Sequence, residues 1–346
     1  MTTILLHCFL FFMIFSQSQK MTVRHSDKSF YDQKKRINRL TGNVKIEYDS
    51  LKLSANKIIY YIKYDYANLY GNIEIISGKY QKITSSTGSY YSDKGLAKLY
   101  TNVKVVDKSS VSTGDTIFYY KEKDFTEIYG HGKIIDSEND IEIEGDYISS
   151  DKKELVNIYG NAVIFQPSDS VKIYADTLIL DRIINKSFAR NNVKIYQDDV
   201  FSEADFTEFN HSDSTMILTG NAHLDFDGND VKGDSIFISF LNKKVNSVDV
   251  IGHAQTVNTP DSSKKVNKFQ GKEIYMNFSD QKLKKMRAIY NAISVFYFED
   301  DAGANSITAD SIHVYFKKNE IDYINEFGGV QGIFYPAGYS GKIKNE

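Results

Sequence analysis

Residues 69–78 read LYGNIEIISG, an alternating run of apolar and polar side chains interrupted by a Gly-Asn pair. Close variants recur as LTGNVKIEY at 40–48, IYGNAVIFQ at 158–166 and LTGNAHLDF at 218–226. Alternation with a period of two is typical of a β-strand with one buried and one solvated face. The recurrence therefore predicts a chain built from many similar strand units.

Two columns of residues keep the same spacing along the chain. The first contains the Asn of the Gly-Asn pair or its substitute, at intervals of 29–32 residues up to His253 and 38 afterwards. The second contains a small residue followed by Asp in its clearest copies. The first column is Asn43, Asn72, Asn102, His131, Asn161, Asn192, Asn221, His253, Asn291 and Gly329; the second is Asn56, Ser86, Asp115, Asp146, Asp176, Asp205, Asp234, Lys272 and Asp310. One shared period predicts a single repetitive domain.

The side-chain parity around the first column predicts which residues face inward. Apolar residues stand three positions before the marker and one and three positions after it, as Leu69, Ile73 and Ile75 do around Asn72. Glu74 has the opposite parity. Gly71 shares the inward parity. An inward glycine marks a bend or a close approach of another backbone, so the glycine column is predicted to form a narrow crease along the interior.

The second column predicts a change of phase. Apolar residues lie three before the Asp and two and four after it, so the inward parity slips by one residue there. Such a slip requires a corner or a bulge, and Asp suits these positions because its side chain bonds nearby backbone N–H groups. A calcium ladder is the alternative, but one Asp per repeat supplies few oxygen ligands. The Asn column resembles the asparagine ladders of β-helical proteins.

The sequence predicts an all-β fold. Even KLKKMRAIYNAI at 282–293, the segment closest to helical periodicity, falls on a strand in this register. From Asp234 onward each interval between a marker of one column and the next marker of the other has 19 residues, against mostly 13–16 before it. This lengthening predicts wider repeats from about residue 233. The predicted organisation is a signal peptide at 1–18, a lead-in at 19–39 and the repeat domain at 40–346.

The N-terminal segment and the composition bound the location and chemistry. ILLHCFLFFMIF at 4–15, followed by Ser16-Gln17-Ser18, predicts a signal peptide, with an uncleaved anchor as the alternative. Cys8, the single cysteine, lies in this segment, so the mature chain has no disulfide. The formal charge of −3 predicts no nucleic-acid partner. No phosphate loop, paired-histidine motif or nucleophile elbow is present, so neither enzyme activity nor a metal or cofactor is expected.

LTGNVKIEYDSLKLSANKIIYY at 40–61 and LTGNAHLDFDGNDVKGDSIFISF at 218–240 resemble the OstA/LptA-like repeat of lipopolysaccharide transport proteins. The resemblance extends over roughly 40–329. It implies a periplasmic protein in which stacked antiparallel strands form a V-shaped, twisted jelly roll (OstA-like). It also implies lipopolysaccharide or lipid A as the ligand, and pairing of edge strands with other OstA-like proteins or head to tail with further copies.

On this resemblance, the inward columns line an apolar groove for acyl chains between inner and outer membrane. The predicted lining residues are Val44, Ile46, Ile58, Tyr60, Ile73, Ile75, Val103, Val105, Ile117, Tyr119, Ile164, Leu178, Leu180, Val193, Ile195, Ile236, Ile238, Ile312 and Val314. Two alternatives remain open: an exported β-solenoid that acts on or binds glycans, and a passive structural fibre. An enzyme is expected to break the repeat locally with unusual acids or bases, whereas this repeat changes only in length.

Overall fold

The computed structural model describes residues 22–48, 51–151, 154–226, 228–258, 266–279, 282–298, 302–317, 320–339 and 341–344. The predicted signal peptide and Cys8 lie outside these residues. Across the described ranges the chain forms strands and short 3₁₀ turns, and none of its helical segments has the length and apolarity needed to cross a membrane. Contacts divide the chain into two units, Met1–Asp169 with Asp176–Ile183, and Ser170–Ala175 with Ile184–Glu346.

The first unit contains the strands that carry the first half of the repeats. They are β1 (Thr22–His25), β2 (Lys28–Asp32), β3 (Ile37–Tyr48), β4 (Leu51–Tyr61), β5 (Tyr66–Ser77), β6 (Gln81–Tyr91), β7 (Leu96–Val106), β8 (Ser110–Tyr120), β9 (Phe125–Asp136), β10 (Ile141–Asp151) and β11 (Leu155–Gln166). Single 3₁₀ turns occupy Ile62–Tyr64, Ser92–Lys94, Lys121–Lys123 and Pro167–Asp169.

The second unit contains the longer repeats, and β12 (Val171–Asp181) contributes residues to each unit. Its other strands are β13 (Lys186–Gln197), β14 (Val200–Asn210), β15 (Thr215–Phe226), β16 (Asn229–Leu241), β17 (Lys244–Asn258), β18 (Asn267–Ser279), β19 (Lys282–Tyr297), β20 (Gly303–Lys317), β21 (Glu320–Phe327) and β22 (Gln331–Pro336).

Within each unit the strands pair antiparallel with their neighbours in the chain, as β4 does with β3 and β5. Tight turns make this possible because Asp65, Gly95 and Asp124 end them in the left-handed conformation. Neighbouring turns are also joined by backbone bonds, with Ser92 N donating to Asp65 O at 3.0 Å. The predicted all-β fold of stacked antiparallel strands is confirmed, and 282–293 lies within β19.

The C-terminal lengthening is partly an extension of strands. Strands β3 to β15 have 11 or 12 residues, whereas β17, β19 and β20 have 15 or 16. Ile293 and Val295 belong to β19, as their alternation predicts. The rest of the long spacing between β17 and β18 falls at 259–265, outside the described residues. A mere loop insertion therefore does not account for the 38-residue period.

Candidate functional site: the apolar interior

The Gly-Asn pair forms a bulge in its strand. Tyr70 lies opposite Thr87 and Ile73 opposite Ser85, so Gly71 and Asn72 together oppose one residue of β6. Both have positive φ, 72° and 46°. Glycine and asparagine are the residues that most readily adopt this left-handed region. The pair therefore bends every second strand at the same height. The bend divides each strand of the sheet into two halves, one on each side of the line of bulges, and these halves are called its legs.

The glycines of these pairs face outward, so the predicted glycine crease is wrong. A Cβ built on Gly130 would lie 2.9 Å from Cγ of Asp115 on the preceding strand, and Asp115 is exposed. The neighbouring His131 places Nδ1 3.0 Å from Oδ2 of the same carboxylate. Glycine is required here because its φ is 70° and because the Asp side chain occupies the space above it.

The two sequence columns form one motif across adjacent strands. Asn161 Nδ2 donates to Asp146 Oδ2 at 2.9 Å, and Asn221 Nδ2 donates to Asp205 Oδ2 at 3.0 Å. These carboxylates bond the side chain of the neighbouring marker residue rather than nearby backbone N–H groups, and the asparagines bond aspartate rather than each other. Among the described residues no group of three or more His, Cys, Asp and Glu could hold a metal ion.

The phase slip at the second column is confirmed. On β4 the inward residues Leu53 and Ala55 are buried, Asn56 is exposed, and burial resumes at Ile58. The slip matches the extra residue in the adjacent strand, since Thr41 pairs with Lys57 while Val44 pairs with Ala55.

A narrow line does run along the interior, and the small residue before each Asp forms it. A Cβ on Gly114 would lie 2.5 Å from Cγ2 of Ile128, and one on Gly145 the same distance from Cγ2 of Ile158. Those isoleucines stand on the other side of the bulge, so the two legs come into contact at this line. In the second unit the line consists of the small residues before the second column and the alanines paired with three of them: Ala204, Gly233, Gly271 and Ala309, with Ala222, Ala254 and Ala292.

The structure places most of the predicted lining residues in the interior. Tyr60, Leu180 and Ile195 are half-buried. The buried ones are Val44, Ile46, Ile58, Ile73, Ile75, Val103, Val105, Ile117, Tyr119, Ile164, Leu178, Val193, Ile236, Ile238, Ile312 and Val314. Their contact with a lipid stays a prediction.

The interior of the second unit is filled by its own side chains. One apolar cluster joins Leu224 and Phe269 from one set of legs with Ile236 and Met276 from the other. The rings of Phe226 and Phe278 lie at opposite ends of these legs, yet their centroids are 5.5 Å apart. The two sets of legs therefore close on each other, where the sequence predicted a groove.

The rim of the first unit combines apolar rings with polar tips. Tyr60 OH donates to Asp65 Oδ1 at 2.7 Å, and Tyr119 OH donates to Asp124 Oδ1 at 3.2 Å. Burial first, and then the bond to Asp65 and its charge, raise the pKa of Tyr60 to about 12. Each ring thus lies against the interior while its hydroxyl is held by the adjacent turn.

Asp27 is a further member of the second column that the sequence pattern did not identify. It lies in the predicted lead-in, its N–H donates to Gly42 O at 3.0 Å, and its side chain covers Gly42. The signal was present, because Ser26-Asp27 is a small-Asp pair 29 residues before Asn56.

Comparisons with known proteins give one family match and a weak structural match. Residues 25–156 match the model of a family described as LptA/(LptD N-terminal domain) LPS transport protein. No curated protein matches the chain. Among solved structures, LptH, the LptA homologous periplasmic component of the lipopolysaccharide transport device of Pseudomonas aeruginosa, is 14% identical. The match covers 40% of this chain and 95% of LptH, with a TM-score of 0.33. The family match confirms the resemblance of the repeats within residues 25–156.

Proposed function

We propose that this chain is a periplasmic carrier of lipopolysaccharide between the inner and outer membranes, because residues 25–156 match the model of the family of LptA and the LptD N-terminal domain. The acyl chains would occupy the apolar interior while the rest of the molecule stays in water. Export would follow from the signal peptide predicted at 1–18. The matched family consists of transport proteins, and the proposal assigns no catalytic residue.

One observation carries this proposal. Both legs of each strand turn apolar columns toward the same interior, and in the second unit Val231 and Val250, on different legs, are completely buried in one cluster. A structural fibre needs only enough core to hold its strands together. An interior that repeats at the same depth in strand after strand also offers a path along which an acyl chain can advance without meeting water.

The energetics favour occupancy that is reversible. Burying a CH₂ group contributes about 0.8 kcal/mol, so a chain of a dozen carbons gains on the order of 10 kcal/mol in an apolar site. Here the legs already bury their own apolar side chains against each other. An entering chain replaces those contacts, so its net gain is smaller than that value. A smaller net gain eases onward movement to the next site.

We expect lipid to separate the legs where Phe226 meets Phe278. Both rings are half-buried and, like the ring of Phe240, pack against the apolar cluster. Opening at this edge exposes fewer fully buried groups than opening at the narrow line, where Ala254 and Ala292 are almost completely buried.

Photocrosslinking tests the proposal at two phenylalanines of β16. Phe240 packs against the interior cluster, whereas Phe237 is 40% exposed on the outer face. With benzoylphenylalanine in place of each in turn, we expect purified lipopolysaccharide to crosslink at Phe240 at least about tenfold more than at Phe237. Equal labelling at both positions, or labelling only at Phe237, would contradict an interior site.

We further propose that copies associate head to tail through their terminal strands. Within the described residues, β1 and β2 pair on one side only, with β3, and β21 and β22 on one side only, with β20. One edge is interrupted at Asp27 and the other at Gly328-Gly329. One terminal edge therefore carries an Asp of the second column, and the other carries a glycine pair of the first column. A second copy added at either edge would continue the alternation of these two kinds of strand. Unpaired edges invite strand addition.

Sedimentation of the mature chain tests this association. We expect the mean mass to rise with concentration, and the double variant Phe30→Lys/Phe334→Lys to stay monomeric because edge lysines oppose strand addition. Phe30 and Phe334 are exposed residues of β2 and β22. Tyr64→Lys, at an exposed turn away from the edges, serves as the control and should associate as the unmodified chain does. A monomer at every concentration would rule out the proposed edge contact.

A further inference from the structure

The two legs of the first unit differ in their outer faces. On the legs that follow the bulge, the outward row next to it contains Lys45, Glu74, Lys104, Lys133 and Glu144, with serine and threonine between them. This is an ordinary solvated face. The legs that precede the bulge share the same interior. Sheet geometry alone therefore predicts a similar outer face on both.

The outward row on the preceding legs is aromatic instead. It contains Tyr70, Tyr100, Tyr129, Tyr147 and Tyr159, and Phe118 lies in the next row. We call these six residues the tyrosine face. Ring centroids are 5.9 Å apart for Tyr100 and Phe118, 5.3 Å for Phe118 and Tyr129, and 4.9 Å for Tyr129 and Tyr147. Tyr70, Tyr129 and Tyr159 remain exposed, so the described chain leaves this apolar surface in water.

One carboxylate fixes the centre of the tyrosine face. Glu127 accepts hydrogen bonds from the hydroxyls of Tyr120 at 2.8 Å, Tyr129 at 2.9 Å and Tyr147 at 2.7 Å. Burial alone would raise the pKa of Glu127, but these bonds and nearby Lys98 more than offset it, so the pKa lies below its usual value. The carboxylate stays ionised and holds the rings in place.

The other charges in the two rows next to the bulge are basic, and the aspartates at the bulge itself, Asp115 and Asp146, bond His131 and Asn161. Lys57 lies over the ring of Tyr70 with Nζ 5.2 Å from the centroid, and Lys98 over Phe118 at 4.7 Å. Arg39 is exposed in the same row as Phe118. Glu127 is the acid facing them in the two rows next to the bulge, and three hydroxyls already occupy its oxygens. The surface is therefore complementary to an anionic ligand.

From this geometry we infer that the tyrosine face binds an anionic oligosaccharide, namely the phosphate-bearing sugar portion of the lipopolysaccharide whose acyl chains occupy the interior. The inference rests on the proposed function for the identity of the glycan. Sugar rings have apolar C–H faces that stack on exposed aromatic rings, and hydroxyl edges that bond tyrosine hydroxyls and amides. Lysines supply charge-assisted bonds to phosphate.

The chemistry of the face favours a glycan over a protein partner. Protein interfaces place their aromatic anchors in pockets with charged groups at the rim. Here the rings form an open row, with threonines Thr87 and Thr116 between them and lysines lying on the rings. An extended chain of flat, hydroxylated rings fits such a row. A protein partner is the alternative outcome of the test.

The test uses lipid-free, phosphate-bearing oligosaccharide prepared from lipopolysaccharide, because it cannot enter the interior. The chain has no tryptophan, so tyrosine emission follows the titration, and variants of the face assign the signal to it. We expect saturable binding to the mature chain. Tyr129→Thr/Tyr159→Thr should weaken it at least roughly tenfold, since it removes two of the three exposed rings on which sugar can stack. Threonine is the residue that this row already carries between its tyrosines.

Ile135→Thr is the matched control, because Ile135 lies on the same strand as Tyr129, across the bulge, and each is 37% exposed. It should leave the affinity unchanged, and dephosphorylated oligosaccharide should bind more weakly than the phosphorylated form. Absence of saturable binding, or equal losses in the two variants, overturns the inference and leaves a protein partner for the face. Crosslinking of lipid at Phe240 is measured separately, so failure of the interior site and failure of the tyrosine face give different results.

Discussion

Ile75→Asp should abolish the folding of the first unit or destabilise it by roughly 4 kcal/mol or more. Ile75 is 1% exposed and lies between Leu53 and Ile83 on the neighbouring strands, which are also buried. The substitution removes a buried aliphatic side chain and places a carboxylate among apolar groups without a partner. Thermal unfolding followed by circular dichroism measures the loss, and lipopolysaccharide crosslinking should fall with the folded fraction.

The adjacent residue provides the control for Ile75→Asp. Ile76 has the same side chain and lies on the same strand, but it faces outward, opposite Lys82. Ile76→Asp should cost less than about 1 kcal/mol, as surface substitutions usually do. Similar losses for the two variants would show that the inward and outward faces of this strand have been exchanged. Ile195→Asp should cost less than Ile75→Asp, because Ile195 is only half-buried.

The interior columns could be predicted from the sequence because a strand has only two faces. Once Leu69, Ile73 and Ile75 shared one parity, their burial followed from the period of two. The slip at the second column was equally accessible, since Ala55 and Ile58 cannot both face inward in a regular strand. Both predictions use only the order of apolar and polar residues along the chain, which the sequence gives directly.

The direction of the glycines could not be obtained in the same way. Parity counting assumes extended backbone, whereas Gly71 and Asn72 both have positive φ, which turns the chain through the bulge. The partner that covers each glycine, Asp115 above Gly130 for example, lies on another strand about fifteen residues away. The local sequence does not indicate that the aspartates of the second column cover the glycines of the first.

Closure of the interior was also beyond the sequence. Alternation shows that Phe226 and Phe278 are near strand ends, but their contact depends on how far the two legs fold toward each other.

The tyrosine face, in contrast, had a visible signal in the sequence. Tyrosine precedes the marker pair at Tyr70, Tyr100, Tyr129 and Tyr159, in four successive repeats, at a position that a solvated strand does not need to fill with aromatic rings.

Gly145→Ala should destabilise the first unit by about 1–3 kcal/mol through overpacking at the narrow line. The new methyl group would lie 2.5 Å from Cγ2 of Ile158, which is completely buried and has no room to move away. Gly145 is not among the glycines with positive φ, so the cost is steric rather than conformational. Denaturant unfolding measures it, and Ser85→Ala, at an equivalent position where a Cβ is already accommodated, should change stability little.

A second substitution distinguishes contact between the legs from a general intolerance of β10. Ile158→Leu keeps the side-chain volume but removes the Cγ2 methyl that meets Gly145. Alone it should cost less than about 1.5 kcal/mol, and combined with Gly145→Ala it should recover most of the loss. Purely additive effects would mean that the legs do not touch at this line. Recovery would show that the small residue before each Asp is selected by the opposing leg, which is the contact that sets how closely the interior can fold.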